Sequence, residues 1–155
     1  MKRPHRNRIL AGGAALIALA GMSMYPHTNP SMIHYKTKIL GPQFIYGPLA
    51  FREEVWETIL AGVKSGEWHW LRVAVDLRPA LDTHPGEQML DAVASVIDVN
   101  PSGAIHWLLP AYGPELVCGE EEAGVRVAGP RAQRRKALVE KVEDTGTPAC
   151  LDVLR

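Results

Sequence analysis

From Pro48 onward, apolar residues recur at helical spacing along most of the chain. Val55, Trp56, Ile59, Leu60 and Val63 fall three or four positions apart, with Arg52, Glu53, Glu54, Glu57 and Lys64 on the other side, which predicts an amphipathic helix beginning near Pro48. Ser65 and Gly66 stop it. The next segment, residues 67–81, carries Trp68, Trp70, Leu71, Ala74, Val75 and Leu77. Its pattern is ambiguous, because Leu71, Val73, Val75 and Leu77 alternate with Arg72, Ala74, Asp76 and Arg78 as they would in a strand. Leu, Ala and Arg favour helix and a lone strand has nothing to pair with, so a second helix is expected. The short connection packs it antiparallel to the first, and Pro79 ends or kinks it.

A third helix follows, capped by Asp82, Thr83 or His84 with Pro85 in its first turn, and Met89, Leu90, Val93, Ala94 and Ile97 form its buried stripe. Asn100-Pro101-Ser102 restarts the chain into a short fourth helix bearing Ile105, Trp107, Leu108 and Leu109, closed by Pro110. Residues 112–130 read as a long Gly- and acid-rich loop, which in a compact domain is either functional or mobile. A fifth helix is expected over 131–144 and a sixth, short one from Thr147 or Pro148, bringing Cys150, Leu151, Val153 and Leu154 back to the body. The fold class is therefore all-α: a small helical bundle, or two to three stacked helical hairpins of HEAT-like type.

Before Pro48 the pattern breaks down. Residues 25–47 mix Pro26, Pro30, Gly41 and Pro42 with Ile33, Ile39, Leu40, Phe44 and Ile45 at no sustained period. Residues 21–47 are expected to form an extended arm or linker, with a strand-like piece around 34–40, leading into a helical domain over 48–155.

The first 20 residues have the layout of a secretory signal peptide. Lys2, Arg3, Arg6 and Arg8 precede a run of Ile, Leu, Ala and Gly from Ile9 to Ala20, and Ala18-Leu19-Ala20 offers an A-x-A cleavage site. The run is shorter than the ~20 residues a membrane-crossing helix needs. An uncleaved signal anchor is the alternative, since residues 21–24 prolong the apolar stretch. The expected location is the periplasm or the exterior, with an inner-membrane anchor and periplasmic domain if the leader stays.

Loss of the leader changes the charge. The chain has 17 basic and 17 acidic residues; without the four basic residues of the leader the balance is 13 to 17. A mildly acidic product has no electrostatic reason to bind nucleic acid. The only two cysteines, Cys118 and Cys150, both lie in the exported part, and an even count in an oxidising compartment predicts a disulfide, with two buried thiols as the alternative.

Candidate chemistry is sparse. The six histidines are scattered without metal-ligand spacing, so no metal or other cofactor is expected. Nucleophile elbows and phosphate-binding glycine motifs are absent. Asp76, Asp82, Glu87 and Asp91 cluster in sequence and are the candidates for a carboxylate pair acting on glycans, but spacing alone supplies no geometry. The catalytic question stays open, with a non-enzymatic role favoured. Four tryptophans are the better lead: Trp68 and Trp70 cannot share one buried helix face, so one of them is expected at the surface, beside Glu67, His69 and Arg72. The further candidate contact surfaces are the acidic run Glu120, Glu121 and Glu122 and the basic cluster Arg131, Arg134, Arg135 and Lys136. Positive charge near the start of a helix opposes its macrodipole, so that cluster needs another explanation.

The segments 68–81 and 90–97, then Asn100-Pro101 and a downstream Cys118, resemble small exported helical proteins of unassigned function from high-GC Proteobacteria. The leader, helical body and late cysteine pair also resemble, in architecture, the Rap1a/Tai-type periplasmic immunity proteins that neutralise secreted cell-wall amidase toxins. That resemblance covers about the last hundred residues, carries no diagnostic motif and transfers no residue role. It implies a periplasmic protein-binding or inhibitory module, an immunity or assembly accessory protein with a protein partner in the cell envelope; a small glycan hydrolase is the alternative.

Overall fold

The computed structural model of the protein describes residues 28–81, 84–121 and 124–155. The expected leader lies outside these residues, as do Asp82, Thr83 and Glu122. Among the described residues the chain forms nine α-helices: α1 (Pro30–Leu40), α2 (Pro42–Ala50), α3 (Glu53–Lys64), α4 (Trp68–Leu77), α5 (His84–Ser95), α6 (Pro101–Gly103), α7 (Leu109–Tyr112), α8 (Gly129–Val139) and α9 (Thr147–Val153). Turns of 3-10 helix, Arg78–Ala80 and Val96–Asp98, extend α4 and α5. A π-helical segment, Ala104–Leu108, runs α6 into α7, and a second π turn spans Glu115–Gly119. No strand occurs among the described residues; an isolated antiparallel bridge joins Glu120 to Arg126. The all-α expectation holds.

α4 is the central element. It packs against α1, α2, α3, α5 and the π segment 104–108, and Leu71, Val73, Ala74 and Leu77 are all fully buried. Burial on several sides explains the strand-like alternation in its sequence: a helix surrounded by neighbours needs apolar residues around most of its circumference, which blurs the 3.6-residue period. α3 keeps one wet face and a clean period, with Trp56, Ile59 and Val63 buried, Glu53 and Glu54 in its first turn and Lys64 in its last, matching the helix dipole at both ends.

The expected arm is instead two helices. Asn29 caps α1, its Oδ1 accepting from the N–H groups of Ser31 at 3.0 Å and Met32 at 3.3 Å, and Pro30 occupies the first turn. Gly41, at φ +90°, closes α1 and lets Pro42 start α2 at once. Pro30, Gly41 and Pro42 are thus helix punctuation, where the sequence pattern reads as loop. The period is blurred for a second reason: Ile33, Ile45, Tyr46 and Leu49 face the core, but Met32, Tyr35, Ile39 and Phe44 are exposed, so apolar residues sit on both sides. Pro48 lies inside α2, one helix earlier than expected.

The remaining corrections are local. Pro110 falls in the first turn of α7 and does not end the fourth helical stretch, which reaches Tyr112. The fifth helix starts at Gly129 and ends at Val139, earlier at both ends than expected. Asn100 starts α6: its Oδ1 accepts from the Gly103 N–H at 2.9 Å while its Nδ2 donates to the Gly66 carbonyl at 2.8 Å, tying this turn to the turn between α3 and α4.

Cys118 and Cys150 form a disulfide with Cα atoms 5.4 Å apart, joining the 115–119 turn to α9. The bond fits an oxidising compartment. No helix among the described residues is long and apolar enough to cross a membrane.

Candidate functional site

The tryptophan ambiguity resolves by position on α4. Trp70 is half-buried over Gly62 of α3, where the missing side chain makes room for the indole. Trp68 is 46% exposed. It is nevertheless held: it stacks on His69 with ring centroids 3.6 Å apart and on Trp107 of the π segment at 6.2 Å, and His106 meets Trp107 edge-on at 5.0 Å. π-helical turns widen the helix locally and recur at functional sites, and here one carries both His106 and Trp107. The sequence marked Trp68; nothing in it placed Trp107 alongside.

Next to this aromatic strip, α1 and α4 enclose a small cleft of about 120 Å³ lined by Pro30, Ser31, His34, Trp68, His69 and Arg72. Its floor is polar. Asp76, with only 4% of its side chain exposed, accepts from Nδ1 of His34 through one oxygen and pairs with Lys38 Nζ at 3.2 Å through the other. Glu67 Oε1 lies 3.1 Å from His69 Nδ1. Arg72 has no acidic partner among the described residues.

Asp76 is therefore occupied in holding α1 against α4. Glu87 and Asp91 line a different, larger cleft of about 540 Å³ with Gln88, Leu116 and Glu120. Of the described members of the expected carboxylate set, Glu87 and Asp91 share that cleft and Asp76 lies apart from it.

The basic cluster divides. Arg134 and Lys136 are exposed, but Arg135 is completely buried. All five of its N–H donors are used: Nε on Asp98 Oδ1 at 3.0 Å, Nη1 on the carbonyls of Cys118 at 3.1 Å and Glu120 at 2.8 Å, and Nη2 on Asp98 Oδ2 and the Ala94 carbonyl, both at 2.9 Å. Arg131 adds a bond to Asp98 Oδ2 at 2.9 Å and reaches Glu121 Oε1 at 3.3 Å. Neither arginine is a free contact surface, and Glu121 is engaged from within; Glu120 contributes its carbonyl to the same hub. Burial pushes the Asp98 carboxyl up, but hydrogen bonds from Arg135 and Arg131, with their charges, outweigh it and hold the group below the usual aspartate range. Two of the four cations, Arg131 and Arg135, bind Asp98, which answers the dipole objection for that pair.

Two more groups near α4 are fixed. The Tyr112 hydroxyl donates to the Ala74 carbonyl at 2.7 Å beneath Arg78, and burial pushes the phenol up while the Arg78 charge opposes that rise. Asp144 accepts from the Gly146 N–H, which holds its carboxyl down, and lies 3.4 Å from His106.

Sequence reasoning missed a set of exposed apolar side chains. Because residues 21–47 read as an arm, the sequence does not show that Met32, Tyr35, Ile39 and Phe44 of α1 and α2, and Phe51 just after them, belong to the folded body with their side chains exposed; Phe51 is 91% exposed. No group of three or more His, Cys, Asp or Glu among the described residues is arranged to hold a metal ion. No protein family, no curated protein and no solved structure matches the chain.

Proposed function

We propose that the protein is a non-enzymatic protein-binding module of the periplasm or cell envelope, inhibitory or accessory in role, that holds its partner through the Trp68 face. The observation that carries this reading is an indole nearly half open to solvent yet already fixed by two aromatic neighbours. A side chain ordered before binding loses little rotamer entropy on contact, and Trp and Arg are the residues that dominate binding hot spots. Arg72 on the same helix supplies the second of these. The disulfide suits the compartment. Of the contact surfaces considered from sequence, Trp68 is the one with both exposure and fixed geometry; Arg134 and Lys136 are exposed but isolated.

The test is crosslinked capture of partners by the tagged protein from its own cell envelope, comparing wild type, Trp68→Ala and the distant control Arg134→Ala. A partner recovered with wild type and control, and depleted at least tenfold with Trp68→Ala while the circular dichroism spectrum is unchanged, supports the reading. Equal recovery by all three overturns it. Release of soluble fragments from cell-wall preparations by the purified protein would move the assignment to the glycan hydrolase.

A further inference from the structure

Around the cleft beside Trp68 two carboxylates, Asp76 and Glu67, formally balance two cations, Lys38 and Arg72, but their pairing among the described residues is uneven. Asp76 is balanced by Lys38, and Glu67 faces His69. That leaves Arg72, whose five donors have no acidic partner among the described residues, and His34, whose Nδ1 is committed to Asp76 and whose Nε2 has no hydrogen-bond partner among them. The N-terminal N–H groups of α1 are not the attraction: Asn29 takes those of Ser31 and Met32 through its side chain and that of Ile33 through its carbonyl. What remains is a guanidinium, an imidazole edge and the Ser31 hydroxyl around about 120 Å³, with the Trp68 indole as one wall.

Resting on the reading above, we propose that this cleft receives a carboxylate of the protein partner, with Arg72 as the principal ligand and His34 as the second. A guanidinium matches the two oxygens of a carboxylate with two parallel N–H donors. Because Nδ1 is committed to Asp76, Nε2 of His34 donates to the incoming carboxylate only when the ring carries both protons. The charged groups facing it are Asp76, Lys38, His69 with Glu67, and Arg72. Asp76 fixes the ring through Nδ1, acting as a positioning residue. The indole wall then covers the apolar part of the residue that carries the carboxylate, so that a partner residue is read at two points.

The site can be tested without the partner. Purified full-length protein is titrated with N-acetylglycine, whose carboxylate is a chain terminus, with acetyl-aspartyl amide, whose carboxylate is a side chain, and with inorganic phosphate, at matched ionic strength and fixed pH, following the His34 ring and Trp68 indole resonances by NMR. Saturable shifts of both with one of the carboxylate probes, weakened at least tenfold in Arg72→Gln and partly restored in Arg72→Lys, support the site and say whether a terminus or a side chain is preferred. No saturable shift with either carboxylate, equal binding by wild type and Arg72→Gln, or phosphate binding tenfold more tightly than both carboxylates overturns it. Carboxylate binding that survives alongside partner capture indifferent to Trp68→Ala would leave this site standing and remove only the protein-binding reading.

Discussion

Two aspartates organise the molecule, Asp76 buried and Asp98 partly so, and their surroundings differ in what is left over. Around Asp98 the buried guanidinium is fully used: Arg135 places five N–H groups on five acceptor contacts, and Arg131 adds a second cation on the same carboxylate. Around Asp76 the acid is satisfied by His34 and Lys38, but Arg72 and the far edge of the His34 ring remain unspent at the mouth of a cleft. A closed network does structural duty, while an open one has capacity for something from outside. The same kinds of residue, arginine against aspartate, take opposite roles according to whether their hydrogen bonding is complete.

Breaking the closed network is expected to have the largest effect. Arg135→Met leaves Asp98 with Arg131 alone and takes their side-chain donor from the carbonyls of Ala94, Cys118 and Glu120, and should cost about 3 to 5 kcal/mol, mainly from acceptors left unsatisfied inside the protein, as read from urea unfolding. Arg134→Ala, one residue away and exposed, should stay within about 0.5 kcal/mol of wild type in the same experiment. Similar losses for the two would mean that the five-bond hub contributes nothing special.

Somewhat smaller is the expected loss from Cys118→Ser with Cys150→Ser. The cysteines are 32 positions apart, and chain entropy puts the cost of opening that loop at about 3 to 4 kcal/mol. Because Arg135 also grips the Cys118 carbonyl, the hub and the disulfide pin the same turn, so the two losses should not add; a triple variant as destabilised as the sum would separate them.

The smallest and most specific effect is on acid stability. Asp98 is held below the ordinary aspartate value when folded, so its contribution is fully present above about pH 4 and is lost as pH falls from there through its depressed folded value. Asp98→Asn should therefore flatten the acid limb of a plot of unfolding free energy against pH, while leaving the neutral region lower but level. An unchanged acid limb would place the titrating group elsewhere.

How far the sequence could be read follows the same division between one-sided and many-sided environments. α3 is legible because one face is wet, and α9 because Pro148 and the returning apolar residues mark it. α1 and α2 are not, since Tyr35, Ile39 and Phe44 put apolar residues outside and the prolines that start helices look like breakers. Trp68 was visible as a candidate because two tryptophans two positions apart cannot both be buried on one face. Arg135 was visible only as charge: no local pattern tells a cation that will be swallowed by carbonyls from positions 94, 118 and 120 from one that stays in water. The pairing of His34 with Asp76, 42 positions apart, has no local trace either.

The Asn100 bridge has a consequence for substitution. Gly66 is at φ +73° with its absent Cβ pointing at Asn100, and Gly103 has the Asn100 amide directly against it, so neither glycine can gain a side chain while the asparagine stays. The asparagine in turn is the one residue that serves both turns at once. Gly66, Asn100 and Gly103 therefore constrain one another: a side chain at either glycine forces the Asn100 amide to move and loosens the tie between the two turns, so the three positions tolerate substitution only together.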